Sequence, residues 1–579
     1  MPAFTDEEWA EVKNEVPAMN HPVVQQFLKG RQNLINEEDK ERSDYSFRQN
    51  LSPIARKACA IVARIRDEER RSIWTPGLEE QIAQREKNIT VHPGMMFSLS
   101  KDKMEQTKLY QIVRKMPKGA LLHSHCDAMV DYDYLFDVLF KTPGIHIWSD
   151  DGPLDTDSAR ETASISIRFR EKTHPTDTSI WSESYKPGTP IPLAHAASVF
   201  PGGGTPAFLA WLRSRCTISQ TEAVEQHHGV DAIWAKFSSC FRVIGTFIHY
   251  EPVFRVFLRR FMSQLHADGI RWAEVRLGWP LNYCREGVET PEKDYEAMFQ
   301  VIEEETSRFK SSPEGEGFWG MRFIWSSLRA WDARAIVTDM DNCIATKLSW
   351  PHLVAGYDLV GPEDAGRPLR DLLPELFWFR KQCAQEGVNI PFFLHAGETL
   401  GSGSDTDHNL FDAVLLGARR LGHAFSLYKH PALIKAVKDK RVLVESCPIS
   451  NEVLRLCGSV ASHPLPALIA RGVACNLNND DPAILGHDTA GSTHDFWLAL
   501  QGWESLGLAG LGSLAENSVR WAAFEDQTNE EWVKDIREAS VGSGVKAERL
   551  REWAVEWERF CLWVVEEFGD EEEKDGRGK

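Results

Sequence analysis

Eight short apolar runs between residues 120 and 482 alternate with helical segments, and four of them end in histidines or acids. The alternation predicts parallel strands joined by helices, and eight such units close into a (β/α)8 TIM barrel. The ends of the runs then gather on one face of that barrel, where active sites sit. The expected fold is α/β, a TIM barrel with a helical N-terminal module and an insert after the first strand.

Residues 1–109 carry the module. Ile54, Ala58, Ile61, Val62 and Ile65 recur at helical spacing between Arg64, Asp67 and Glu68. The charged run 36–42 reads as a solvated face. The module's apolar faces require a partner, either the main domain or a second copy of the chain.

The barrel is expected over residues 110–525. Its first strand follows Pro117 and Gly119 and ends in His123-Ser124-His125-Cys126-Asp127. Alternate residues of a strand share a face, so His123 and His125 point the same way and can chelate one ion. Residues 141–205 are rich in Pro, Gly, Ser, Thr and Asp, with strand-like alternation at 145–148 and 164–169. They form an expected inserted subdomain, readable as a solvent-covered excursion, a lid or a partner surface. Residues 232–265 are patterned as helix and closed by Gly269. Strands follow at 272–277, 321–325 and 353–361, with a helix over 295–309 between the first two. The helix 374–386 leads to Phe392-Phe393-Leu394-His395-Ala396-Gly397-Glu398-Thr399, a buried run that ends in an imidazole and a carboxylate. The last three strands are read at 420–424, ending at His423, at 442–448, and at 474–482, which contains Asp480 and Asp481. Residues after Ser492 read as amphipathic helices, with Phe496, Leu500 and Trp503 at helical spacing. C-terminal helices and a charged, disordered tail occupy 526–579.

Composition narrows the partners. The 579 residues are 42% hydrophobic, enough for a large core. Against 66 Lys and Arg stand 85 Asp and Glu, a formal charge of -19 that repels nucleic acid and anionic membranes. No run is long and apolar enough to span a bilayer, and the acidic start lacks the pattern of a signal peptide. Eleven scattered cysteines without a CxxC pair read as reduced thiols, so a cytoplasmic location is expected, with unconventional export as the alternative. The sequons at Asn50 and Asn88 are taken as chance matches.

His123, His125, His395, Glu398, His423, Asp480 and Asp481 all fall at one end of four strands. Ionisable groups so crowded cost several kcal/mol unless a cation or substrate offsets them. Three histidines and a carboxylate suit zinc, whose bound water has a pKa near about 7. Glu398 and His423 are the candidates for the accompanying proton transfers.

At these residues the sequence resembles the adenosine deaminase family, and more closely its growth-factor-related branch. The resemblance rests on residues 116–125, on His395-Ala396-Gly397-Glu398-Thr399, on Cys447-Pro448-Ile449-Ser450-Asn451 and on Asp480-Asp481-Pro482. It runs through residues 30–525, including a dimerising N-terminal module. It implies that His123, His125, His395 and Asp480 ligate one zinc and that Glu398 protonates purine N1. It further implies that His423 and Asp481 orient the attacking water, Asp481 also meeting N7, and that Gly361 and Asp127 contact base and ribose. The implied reaction converts adenosine and 2′-deoxyadenosine to inosine and its deoxy form, with ammonia released. The alternatives are another 6-aminopurine (adenine, AMP or an N6-modified adenosine) and a growth-factor-like binding protein with secondary catalysis. The H-x-E and P-C-x-x-C pattern of cytidine-type deaminases is absent. The sequence departs from the family at Ala424, where glycine is usual, and in lacking a secretion signal.

Overall fold

The computed structural model describes residues 4–75, 96–171, 178–225, 228–278, 282–487 and 491–570; the Asn88 sequon and nearly all of the expected disordered tail lie outside them. The barrel strands are β1 (Gly119–Leu121), β2 (Ile270–Leu277), β3 (Gly320–Leu328), β4 (Val354–Val360), β5 (Phe393–Ala396), β6 (Arg420–His423), β7 (Leu443–Ser446) and β8 (Cys475–Leu477). They pair in parallel as two four-stranded sheets, β1 to β4 and β5 to β8. Single bridges join these sheets, Tyr357 to Phe392 on one side and Ser124 to Asp480 on the other. The ring therefore closes as eight strands, in chain order, with β1 beside β8.

The strands are buried almost throughout, as a sheet covered on both faces requires. Charges inside them are paired. Arg276 on β2 meets Asp358 on β4 at 2.7 Å and Glu445 on β7 at 2.8 Å, and Arg420 on β6 meets Glu274 on β2 at 2.7 Å.

Three expectations change. The helical pattern over 232–265 is two helices, Gly229–Ile244 and Glu251–Ala267, because Pro252 cannot sit inside a helix and instead opens the second. In the helix Pro53–Ser72, Ile54 lies outside the packed stripe and Ala55 completes it with Ala58, Ile61, Val62 and Ile65. The helix Gly491–Gly502 is not amphipathic. It is buried from Gly491 to Gln501, since the helices Lys108–Lys115 and Gly507–Arg520 both pack on it.

The helix Val545–Phe568 packs along Pro53–Ser72, and its Trp553 indole donates to the Pro117 carbonyl at the entry to β1. Beside it, Trp532 packs on Phe393 of β5, so C-terminal residues floor the barrel. By contrast the helices Asp6–Glu15 and Pro22–Glu41 bury no residue, and Trp9, Val23, Phe27 and Leu34 are exposed. The insert is an antiparallel sheet with Ile145–Ser149 at its centre, flanked by Ile165–Phe169 and Ile191–Pro192. Among the described residues no helix is long and apolar enough to cross a membrane.

Lys546 offers a test of the floor. Its Nζ sits 3.8 Å over the Trp532 ring with no hydrogen-bond partner, and burial pushes its pKa down to about 7. A lysine whose folded pKa falls below its unfolded value burdens the fold most at low pH, where it must be buried charged. The burden lightens as pH rises from about 7 toward the unfolded value near 10.4. Lys546→Met should therefore raise the melting temperature by a few degrees, and by more at pH 6 than at pH 9. Equal shifts at both pH values would contradict this.

Candidate metal centre

The centre is assembled where β1, β5, β6 and β8 end. His123 and His125 follow β1 on alternate residues, His395 lies within β5, His423 ends β6, and Asp480 lies three residues past β8. His423 and Asp480 have positive φ, 60° and 56°, as does Ala424 at 43°. Non-glycine residues in this region are strained, and such strain clusters at functional sites. Glycine takes this conformation without penalty, whereas alanine at position 424 adopts it at a cost in the turn. Gly422 is required beneath the cluster: a Cβ there would lie 2.8 Å from His123 Cε1.

The ligand-type atoms of His123, His125, His395 and Asp480 lie within 4.8 Å of one another. Each of two imidazoles is oriented from behind. His123 Nδ1 is 2.8 Å from Glu445 Oε2, and His395 Nδ1 is 2.7 Å from Asp358 Oδ2. A carboxylate accepts, so both rings carry their protons on Nδ1 and present Nε2 lone pairs. His123 Nε2 and His125 Nε2 each lie 3.2 Å from Asp480 Oδ1, and neither His123 Nε2 nor Asp480 Oδ1 makes a hydrogen bond. Facing lone pairs at this separation call for a cation between them, so the residues fit a metal. Only His125 of the four is part exposed, with 17% of its side chain accessible, which places the opening on its side.

Electrostatics agree. Burial pushes His395 down to about 3, so it stays neutral as a ligand must be. Burial would raise Asp480, yet the closeness of the His423, His123 and His125 rings holds it well below the usual carboxylate range. Burial and the neighbouring Asp480 charge push Asp481 well above that range. Glu398 is also raised well above it, by burial and then by the charges of Asp480 and Glu363. A buried neutral acid therefore stands beside a buried anion.

His123, His423, Cys447 and Asp480 form a second set within the same reach. It is the poorer one, because burial raises the Cys447 thiol and because His423 Nδ1 is shared between the Asn451 amide and Glu398 Oε1, each at 3.4 Å, instead of being locked by one close carboxylate.

Asp127 follows His125 in the short turn Cys126–Ala128, buried, with Oδ1 3.3 Å from His249 Nε2. Gly361 ends β4 with a φ of 102°. Two residues on, Glu363 accepts from the backbone N–H groups of Gly397 and Glu398 at 3.1 and 3.0 Å, which ties that loop to the acid. Glu445, Asp358, Arg276, His249 and Glu363 were not singled out from the sequence as site residues. The available signal was an ionisable residue inside an otherwise apolar strand, as in Trp272-Ala273-Glu274-Val275-Arg276-Leu277 and Val442-Leu443-Val444-Glu445.

Fold and site define a barrel enzyme whose catalytic mouth holds three histidines and an aspartate ready for a divalent metal. The family model described as adenosine deaminase matches residues 200–539. A relative from Phlebotomus duboscqi named adenosine deaminase is 31% identical over 475 residues, 81% of this chain and 81% of its own. Adenosine deaminase 2 of Homo sapiens is 31% identical over 451 residues, 76% of this chain and 82% of its own. The chain belongs to the metal-dependent adenosine deaminase family, in its growth-factor-related branch, and is a deaminase hydrolase.

Proposed function

We propose that the chain deaminates adenosine and 2′-deoxyadenosine hydrolytically, with one zinc held by His123, His125, His395 and Asp480. The observation that carries this reading is the pairing of two carboxylate-locked imidazoles with Asp480 beside a neutral Glu398. Zinc, when bound, lowers the pKa of a water to about 7 and so supplies the nucleophile.

Glu398 donates its proton to purine N1, which makes C6 electrophilic. His423 and Asp481 orient the attacking water and manage the two protons it gives up, one of which ends on the departing amine while the other restores Glu398 to its acid form. The oxygen bonds to C6, the C6–N bond breaks, and ammonia and inosine result. Asp481 then meets N7, and Gly361, without a side chain, lets the ring approach the backbone. Asp127 accepts from a ribose hydroxyl; its Oδ2 is buried without a hydrogen-bond partner.

A nucleoside is favoured over a nucleotide because the guanidiniums beneath the centre, Arg276 and Arg420, are already held by carboxylates and because Asp127 would repel a phosphate. Ultraviolet absorbance with adenosine, 2′-deoxyadenosine, adenine, AMP and N6-methyladenosine tests this. Conversion of the two unmodified nucleosides alone is expected; faster turnover of any of the other three would replace the substrate assignment.

The chain is further proposed to form a homodimer through its N-terminal helices, supported by the exposed Trp9, Val23, Phe27 and Leu34 on elements with no buried face. Sedimentation should give a dimer for the full chain and a monomer once residues 1–41 are removed. An unchanged mass would refute it.

A further inference from the structure

One buried side chain beside Glu398 has no part in the steps above. Asn451 lies in the short helix Pro448–Val453 that follows β7. Its Nδ2 is 3.5 Å from Glu398 Oε1 and 3.4 Å from His423 Nδ1, and its Oδ1 is 3.0 Å from His463 Nε2.

The direction of these contacts is fixed from the far end. The backbone N–H of Leu465 donates to His463 Nδ1 at 3.1 Å, so a neutral His463 carries its proton on Nε2. Burial pushes His463 down to about 3, which keeps it neutral. Nε2–H therefore donates to Asn451 Oδ1, and the amide cannot flip without setting two donors against each other. The Nδ2 hydrogens then face Glu398 Oε1 and His423 Nδ1, two acceptors that lie 3.4 Å from one another and share the amide. The His463 ring is held in place by Phe425, perpendicular at 5.4 Å, and by Trp503 at 5.8 Å. The Asn451 carbonyl accepts from the N–H groups of Leu456 and Cys457, so the backbone under the amide is also fixed.

The carbonyl oxygen of a carboxylic acid is its better acceptor, so a donor fixed against one oxygen favours the proton on the other. We propose that Asn451, oriented by His463, is a positioning residue that makes Glu398 Oε1 the acceptor and directs the acid's proton to Oε2, the oxygen left for purine N1. This rests on the deaminase reading above. Loss of the Asn451 donor leaves Glu398 Oε1 facing only His423 Nδ1 at 3.4 Å, to which a proton on Oε1 can be donated, so the fraction of acid with its proton on Oε2 falls. The effect belongs to kcat and not to KM.

The test compares the zinc-loaded wild type with Asn451→Leu, His463→Phe and the double variant, reading kcat and KM for adenosine, zinc content and melting temperature. Asn451→Leu should lower kcat about tenfold to a hundredfold, with KM within about twofold of wild type and full zinc. His463→Phe should lower kcat in the same way but less. The double variant should be no slower than Asn451→Leu, because His463 acts only through Asn451. Kcat within about twofold of wild type in Asn451→Leu, or losses that multiply in the double variant, would overturn the proposal. If Asn451→Leu does not load zinc, Asn451→Ala takes its place, and loss of zinc in both and in His463→Phe would show a structural role and overturn it equally. A zinc-bound wild type inactive on adenosine would instead refute the deaminase reading itself.

Discussion

Glu398→Gln should abolish measurable turnover, lowering kcat by roughly 10³–10⁴, while zinc stoichiometry and melting temperature stay at wild-type values. The side chain keeps its shape and can still accept from Asn451, but an amide has no acidic proton to give to N1. Burial and the charges of Asp480 and Glu363 raise the Glu398 pKa, which keeps the acid protonated at neutral pH. Activity should therefore persist from mildly acidic through neutral pH and fall as pH rises through that elevated pKa. Replacing the acid by an amide does nothing to the metal site, since Glu398 is not among the four clustered ligand residues. Substantial activity in the variant would remove Glu398 from the mechanism. Loss of zinc along with activity would reassign it to the metal.

Asp480→Ala should lose zinc and activity together. Asp480 Oδ1 is the atom on which His123 and His125 converge, each at 3.2 Å, and its removal leaves three neutral imidazoles to hold a dication. The carboxylates behind the rings should matter almost as much. Asp358→Asn or Glu445→Gln offers Nδ1 an amide that can turn either way, so the ring's tautomer and orientation are no longer imposed. Zinc affinity should fall about 10–100-fold in each, read by competition with a chelator. Arg276 links both carboxylates, so the two substitutions are within reach of one another and should not be additive. Retention of wild-type zinc affinity in Asp480→Ala would mean that the metal is held by other residues.

Much of the barrel could be read from the sequence because apolar runs of strand length, each followed by a helical pattern, are local signals. The ends of those runs were readable for the same reason. His123 and His125 alternate on one strand, and His395 and Glu398 close another. What lies behind them was not readable. Asp358 is 37 residues from the histidine it orients, and Glu445 is 322 residues from His123; only the closed ring brings them together. Arg276 and Glu445 looked like ordinary strand residues, although charges inside apolar strands demand a partner. Asn451 was visible as part of a motif, but its role depends on the tautomer of His463 and thus on a single backbone N–H. The helix Gly491–Gly502 misled because spacing alone cannot tell a helix with one apolar face from one enclosed on every side. The left-handed turns at His423 and Asp480 carry only a weak sequence signal, as histidine and aspartate visit that conformation more often than most residues but far less often than glycine.

The measurement that bears most directly on the account is titration of zinc into metal-stripped protein with adenosine deamination followed on the same sample. Activity should be absent from the stripped protein and rise linearly to a plateau at one zinc per chain. Full activity without metal, or a plateau that demands a different stoichiometry, would contradict the centre described here.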